Sequence, residues 1–166
     1  MSSTDFLKRL WQNMCAAYRD SALAGACLDV QESYDVDVPL LLVLCLADRA
    51  GHHIAASDLP ALVEDCREWR EAAILPLRFA RSEMKGKFTA PAQLGLRDDI
   101  KRLELEAERL QVQRLAETFP AASPAAGSAA LAYLASCGAQ PAVASQFVTT
   151  FNHAYDAQVL RSVAMD

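Results

Sequence analysis

Apolar residues recur along this chain every three or four positions, the spacing that places side chains on one face of an α-helix. Two such stripes near the N-terminus consist of Phe6, Leu10, Met14 and Tyr18, and of Leu23, Cys27, Val30 and Tyr34. No segment shows the alternation of apolar and polar residues that is typical of a half-buried β-strand. The pattern therefore predicts an all-α protein.

A third helix, predicted from Val38 to Ala50, is apolar on every side. All seven residues from Leu40 to Leu46 are apolar. Asp37 is a suitable N-cap, and Pro39 fits the first turn of the helix. Because a helix without a polar face has to be covered by other helices, we expect it at the centre of a helical bundle.

The fourth helical pattern runs from Ser57 to Lys85 and contains one interior proline, Pro76. A proline removes a backbone hydrogen bond and clashes with the preceding turn, so we expect a kink or a break there. The expected core face of this helix consists of Leu62, Cys66, Trp69, Ala73, Leu77, Ala80 and Met84.

The fifth predicted helix, Leu96 to Thr118, is highly charged, since eleven of the 21 residues from Arg97 to Glu117 are Asp, Glu, Lys or Arg. We expect the preceding residues, from Lys87 to Gln93, to form a linker. The narrow apolar stripe of the helix has heptad spacing and consists of Leu96, Ile100, Leu103, Ala107 and Leu110. Such a stripe is typical either of a helix packed on its own domain or of a short seam between two copies of the chain.

The chain from Thr118 to Tyr155 contains no Asp, Glu, Lys or Arg. Two helices are predicted there, and the first spans Ala129 to Ser136. The apolar face of the second consists of Val143, Phe147, Phe151, Tyr155 and Val159. Because a large exposed apolar surface is unfavourable, we expect the last helix to dock on the rest of the bundle, through a link from Pro120 to Gly127.

These elements predict one all-α domain, a helical bundle of six or seven helices around the central apolar helix. We divide it into an N-terminal helical core (residues 1–86), the charged helix (87–118), and an alanine-rich linker with the C-terminal helix (119–166). A length of 166 residues suits one domain of this kind rather than two.

The composition and charge of the chain indicate its cellular compartment and exclude some classes of partner. Its formal net charge is −5, whereas general binding to nucleic acid or to an anionic membrane needs a positive surface. The longest apolar run, Val38 to Ala47, is far shorter than the roughly 20 residues that span a bilayer. The five cysteines occur singly and form neither a disulfide nor a zinc pattern. We therefore expect a cytoplasmic protein with no cofactor, no metal site and no membrane or general nucleic-acid partner.

Basic residues of the fourth helix form the clearest candidate binding surface, which we call the arginine stripe. At about 100° per residue, its members share one side of the helix: Arg67, Arg70, Arg78, Arg81 and Lys85. The stripe can pair with acids of the same protein and lock two helices together. Alternatively, it can bind a carboxylate or phosphate group of a partner or ligand.

An acidic segment precedes the arginine stripe. From Asp20 to Asp48 there are six acidic residues and no basic residue. Four of the six lie from Asp29 to Asp37. If this acidic edge faces the arginine stripe, an anion pocket is expected between them, lined by Asp37, Trp69, Arg70 and Arg78. The candidate binding residues are accordingly Asp35, Asp37, Arg67, Trp69, Arg70, Arg78 and Arg81.

Four short motifs follow one another in the first half of the chain: Cys27-Leu28-x-x-Gln31, Asp35-Val36-Asp37-Val38-x-Leu40-Leu41-Leu42, Trp69-Arg70 and Pro76-Leu77-Arg78. Their order resembles a proteobacterial family of small cytosolic proteins that is known only as a domain of unknown function. The resemblance extends over about Phe6 to Lys85. It implies a bacterial cytosolic protein and a shared Trp-Arg and Pro-Leu-Arg helix, and it implies no activity.

Two functions from different classes fit these features. The first is a non-catalytic protein–protein interaction or adaptor module that docks a partner through the arginine stripe or the charge-free C-terminal segment. The alternative is a helical enzyme or small-ligand-binding protein with an anion site at the same arginines. Because no known catalytic signature occurs in the chain, the first is preferred. Self-association through Leu96 to Leu110 is a third interpretation.

Overall fold

The computed structural model describes residues 5–124 and 127–163, and within them the chain is helical and contains no strand. The α-helices are α1 (Leu10–Tyr18), α2 (Ser21–Tyr34), α3 (Val38–Arg49), α4 (Leu59–Trp69), α5 (Leu75–Met84), α6 (Pro91–Thr118), α7 (Ala129–Ser136) and α8 (Pro141–Val163). A 3₁₀ turn, Asp5–Arg9, precedes α1, and a π turn, Arg70–Ile74, joins α4 to α5 without a loop. If α4, the π turn and α5 are counted as one helix, the described residues form seven. The predicted all-α bundle is confirmed.

Helix α3 is the centre of the bundle, as its sequence predicts. Its first ten residues, Val38 to Ala47, are all buried. It is contacted by α1, α6, α7 and α8. Because α3 has no polar face, every helix around it contributes an apolar side, and the core is continuous from Phe6 to Ala154.

The C-terminal helices pack against this core. Helix α7 lies on α3, and α8 lies along α1, α2 and α7. Asp48, near the end of α3, accepts hydrogen bonds from the backbone N–H groups of Ala129 and Ala130 at 3.0 Å, so it satisfies the free donors at the start of α7. The predicted bounds of α7 agree with the structure. Residues 125 and 126 of the predicted link, and the last three residues of the chain, lie outside the described residues.

The interruption expected at Pro76 is present as the π turn just before it. The N–H of Leu75 donates to the carbonyl of Arg70, five residues back. Pro76 has no N–H to offer to the carbonyl four residues before it, and the wider turn accommodates both this missing donor and the proline ring.

The core face predicted for the second half of the fourth helix is covered only in part, since Leu77, Ala80 and Met84 are half-buried. Helix α5 has no buried residue, and Trp69, just before the π turn, is 37% exposed. The reason is that α5 packs mainly against one helix, α6. An apolar stripe predicts which side of a helix is covered. It does not predict how completely that side is buried.

Helix α6 begins earlier than predicted, at Pro91 rather than at Leu96. The predicted linker, Lys87 to Gln93, therefore ends at Ala90. Proline is well suited to the first turn of a helix because the N–H that it lacks has no partner there. The side chain of Gln93 accepts a hydrogen bond from the N–H of Ala90 at 3.2 Å and closes this end.

Candidate functional site

The first half of the arginine stripe forms ion pairs with exposed acids. Arg67 pairs with Glu64 at 2.5 Å and with Glu71 at 3.1 Å, both on its own helical segment. Arg70 pairs with Asp35 at 2.6 Å, and its guanidinium lowers the pKa of that carboxyl group. Asp35 lies at the end of α2 in the left-handed conformation, with φ 51°. Arg70 is thus the one member of the stripe that pairs with the acidic segment.

The second half of the stripe joins α5 to α6. Arg78 donates to Glu104 and to Glu108, both at 2.8 Å, and Arg81 donates to Glu104 at 2.5 Å. These two carboxylates were not among the candidate residues. Their separation by four positions, on one face of a charged helix, is the signal that could have identified them as partners of a basic stripe.

Trp69 and Asp37 contact α6 from two other directions. The indole Nε1 of Trp69 donates to the carbonyl of Ala107 at 2.9 Å. Asp37 is buried, and both of its carboxylate oxygens accept from the Gln111 side chain at 2.9 Å. Burial raises the pKa of Asp37.

Asp37 also fixes the start of the central helix. One of its carboxylate oxygens accepts from the N–H of Leu40 at 3.2 Å, and its own N–H donates to the hydroxyl of Tyr133 at 2.9 Å. The side chain therefore acts as the N-cap that its position predicts, and it connects α3, α6 and α7 at one point.

A cleft, which we call the α1–α6 cleft, opens between α1, α2, α3, α5 and α6. Its volume is about 480 Å³, within the range of small-molecule sites. Its apolar wall consists of Trp11, Met14, Leu28, Val38, Pro39, Leu42 and Leu105. Its polar lining consists of Cys15, Tyr18, Arg19, Gln31, Arg78, Arg81, Lys101, Glu104 and Glu108.

The predicted site residues do not converge on one cavity. Of the four residues expected to line an anion pocket, Arg78 alone lines the α1–α6 cleft. Arg81, another candidate binding residue, also lines this cleft. Asp37, Trp69 and Arg70 lie outside this lining, since they are bound to Gln111, Ala107 and Asp35.

Titratable groups in the α1–α6 cleft influence one another. Burial raises the pKa of Glu108 to about 7, an effect that neighbouring Glu104 and Asp37 reinforce and Arg78 opposes. Burial also raises the pKa of Tyr18, whose phenol feels the charges of Glu108, Arg78 and Arg81. The hydroxyl of Tyr18 thus lies near the same charged groups that line the cleft.

The described residues show neither a metal-binding cluster nor a helix that could span a membrane. They contain no cluster of three or more His, Cys, Asp or Glu side chains placed to hold a metal ion. In that part of the chain, no helix combines the length and the apolar character that crossing a membrane requires. All five cysteines are free thiols.

A family model matches more than half of the chain. The model of the family described as "Protein of unknown function (DUF2390)" matches residues 9–115. No curated protein and no solved structure matches the chain. The expected resemblance to a family of unknown function is confirmed, and the match extends beyond Lys85 into α6. All residues that line the α1–α6 cleft lie within the matched range.

Replacing Asp37 by alanine should lower the free energy of unfolding by about 2 to 4 kcal/mol, because the variant loses a helix cap and leaves the buried amide of Gln111 unpaired. Urea denaturation followed by circular dichroism measures this. Asp20→Ala is the control, because Asp20 caps α2 at an exposed site and its loss should cost about 1 kcal/mol. Equal losses for the two variants would contradict the anchoring role of Asp37.

Glu108→Gln should make stability less sensitive to pH. The pKa of Glu108 is raised from 4.5 to about 7. Between these two pH values the folded protein therefore keeps a proton on Glu108 that the unfolded chain has lost. The free energy of unfolding therefore falls as pH rises through this range, by on the order of 1 to 3 kcal/mol for this group.

Urea denaturation at about pH 5 and about pH 8 tests this expectation. Glu108→Gln should lose less stability between the two conditions than the unmodified protein. Glu106→Gln is the matched control on the same helix. Because Arg109 lowers the pKa of Glu106, the contribution of Glu106 to stability changes only below about pH 5, outside the range compared. An unchanged pH response in Glu108→Gln would rule out the raised pKa.

Proposed function

We propose that this chain, which belongs to the family described as "Protein of unknown function (DUF2390)", is a non-catalytic interaction or adaptor module of the cytoplasm. Its docking surface is the α5–α6 hairpin, by which we mean residues 75–110. Its partner is another protein that lays an apolar helical segment along α6.

The distribution of exposed apolar side chains carries this proposal. Ten large apolar residues are exposed in the described part of the chain, and seven of them lie on the hairpin. The seven are Phe79, Phe88, Leu94, Leu96, Leu103, Leu105 and Leu110. Leu105 lines the α1–α6 cleft, and the other six lie outside its lining. A concentration of exposed apolar residues on one hairpin favours an interaction surface there.

One edge of α6 has the spacing that a helical partner requires. Leu96, Leu103 and Leu110 recur every seven residues and are 55%, 48% and 40% exposed. At about 100° per residue they lie within an arc of about 40°. A partner helix with apolar residues at the same period would cover this stripe along its length.

The charges beside the stripe favour a different protein over a second copy. Asp99 and Glu106 flank the three leucines on one side. In an antiparallel pair of α6 helices this edge would meet the same edge of the second copy, so acids would face acids. Their partners Arg102 and Arg109 form exposed ion pairs of small energy. A partner with basic residues beside its apolar stripe therefore complements this edge.

The candidate binding residues support this surface in two ways. Arg78 and Arg81, through Glu104 and Glu108, hold α5 against α6 and so keep the hairpin in one geometry. Trp69, which is partly exposed, donates a hydrogen bond to Ala107 of α6, and Arg67 is occupied by ion pairs within its own helical segment. Asp35 and Asp37 anchor the supporting segment through Arg70 and Gln111.

A photo-crosslinking amino acid at position 103, introduced in the source organism, tests the proposal. We expect it to capture one protein reproducibly, whereas the same group at position 28, an exposed leucine on α2, should not. Binding of the purified partner is then measured by calorimetry. The triple variant Leu96→Gln, Leu103→Gln and Leu110→Gln should bind at least about tenfold more weakly, since several apolar contacts are lost.

Glutamine favours helix and the replaced positions are exposed, so the triple variant should keep its fold, which circular dichroism checks. Leu28→Gln should bind the partner as the unmodified protein does. Unchanged affinity in the folded triple variant overturns the proposal. Capture of only a second copy of the chain at position 103, with a dimeric mass in sedimentation, replaces it by self-association.

A further inference from the structure

The α1–α6 cleft has an excess of positive charge although the whole chain has a formal net charge of −5. Four cationic side chains line it, Arg19, Arg78, Arg81 and Lys101, against the two carboxylates of Glu104 and Glu108. Charges of one sign that line the same cleft add to one electrostatic potential, which attracts ions of the opposite sign. The cleft is therefore suited to an anion.

Two of these four cations are available to a ligand. Arg78 and Arg81 are bound to the two carboxylates. Arg19 and Lys101 are exposed residues, and neither is in an ion pair among the described residues. The paired charges thus belong to the inner part of the cleft, and the two unpaired cations lie where it meets the solvent.

The remaining lining of the cleft is apolar and incompletely covered. Leu28, on α2, and Leu105, on α6, both line the cleft and are 49% and 53% exposed. Tyr18, on α1, is 42% exposed. Behind them lie Met14, on α1, and Leu42, on α3, which are buried. An apolar body placed in the cleft would remove this surface from water.

We propose that the α1–α6 cleft binds a small amphipathic anion, a molecule with one carboxylate or phosphate group on an aliphatic or aromatic body. Arg19 and Lys101 hold the anionic group, and the apolar wall holds the body. The volume of about 480 Å³ suits a molecule of this size.

This binding function goes beyond the proposed docking function and uses a different side of α6. Leu105, in the cleft, lies about 160° around the helix from Leu103 in the docking stripe. Loss of one surface therefore leaves the other in place, and the two proposals can fail separately.

Calorimetry with decanoate, decyl phosphate and decanol, all below their aggregation concentrations, tests the ligand class. Decanoate or decyl phosphate should bind at least about tenfold more tightly than decanol, which has the same chain and no charge. Whichever anion binds more tightly identifies the preferred head group. Absence of binding by both anions, or equal binding by decanol, overturns the proposal.

A pair of double variants locates the anionic group. Arg19→Gln with Lys101→Gln should weaken the binding of the preferred anion by at least about tenfold, because its charge-assisted contacts are lost. Arg9→Gln with Arg102→Gln removes the same charge from exposed positions outside the cleft and should leave affinity unchanged. Equal losses in both double variants would show that only net charge matters, which contradicts the site.

Tryptophan fluorescence locates the apolar body. Trp11 lines the cleft and Trp69, the second tryptophan of the chain, does not. The fluorescence change caused by the preferred anion should persist in Trp69→Phe and disappear in Trp11→Phe, and calorimetry measures the affinity that each variant keeps. The opposite result would place the ligand elsewhere and overturn the proposal. The triple hairpin variant should bind the anion normally, which separates this test from that of the docking function.

Discussion

The absence of a polar face on α3 is the constraint on which the rest of the fold depends. Ten consecutive buried residues, from Val38 to Ala47, can be removed from water only if helices lie on all sides of them. Four helices do this: α1, α6, α7 and α8. Two buried or half-buried carboxylates then fix the ends of α3, since Asp37 caps its start and Asp48 binds the first N–H groups of α7. The apolar helix and its two acidic ends thus set the positions of the helices around it.

The α5–α6 hairpin is held in a different way, because α5 does not reach the core. The C-terminal part of α6, with Val112 and Leu115, belongs to the apolar core of the bundle. Toward its N-terminal end, ion pairs from Arg78 and Arg81 to Glu104 and Glu108 take the place of a core. Such ion pairs fix the relative position of two helices but add little to the free energy of unfolding, because desolvation offsets much of their attraction. The hairpin is consequently held in one position and has apolar residues on its outer side. The proposed docking surface lies on one edge of α6, and the proposed ligand cleft lies on the other.

Several features of the fold could be predicted from sequence because they depend on neighbours along the chain. The central helix, the N-cap at Asp37 and the bounds of α7 follow from local periodicity and capping. The interruption near Pro76 follows from the missing N–H of proline. The apolar pattern predicts a start for α6 that is too late, because the helix begins at Pro91. Its first turn is held by backbone hydrogen bonds and by the side chain of Gln93, and an apolar pattern does not report such contacts. In the same way, the stripe through Trp69 and Met84 predicts a buried side, yet α5 packs mainly against α6 and its inner side is only half-buried.

The candidate site depends on information of another kind. Composition and periodicity place arginines on one side of a helix, and they do not identify which acids those arginines meet. Arg70 reaches Asp35, whereas Arg78 and Arg81 meet Glu104 and Glu108, which are more than 20 residues further along the chain. The physical reason is that helix formation is governed by contacts within about four residues, while ion pairing and cleft formation depend on the angles and distances at which separate helices pack. Helix identity and the central place of α3 are therefore properties of the local sequence. The partners of the arginines, the exposure of the hairpin and the existence of the cleft were decided only when the helices packed together.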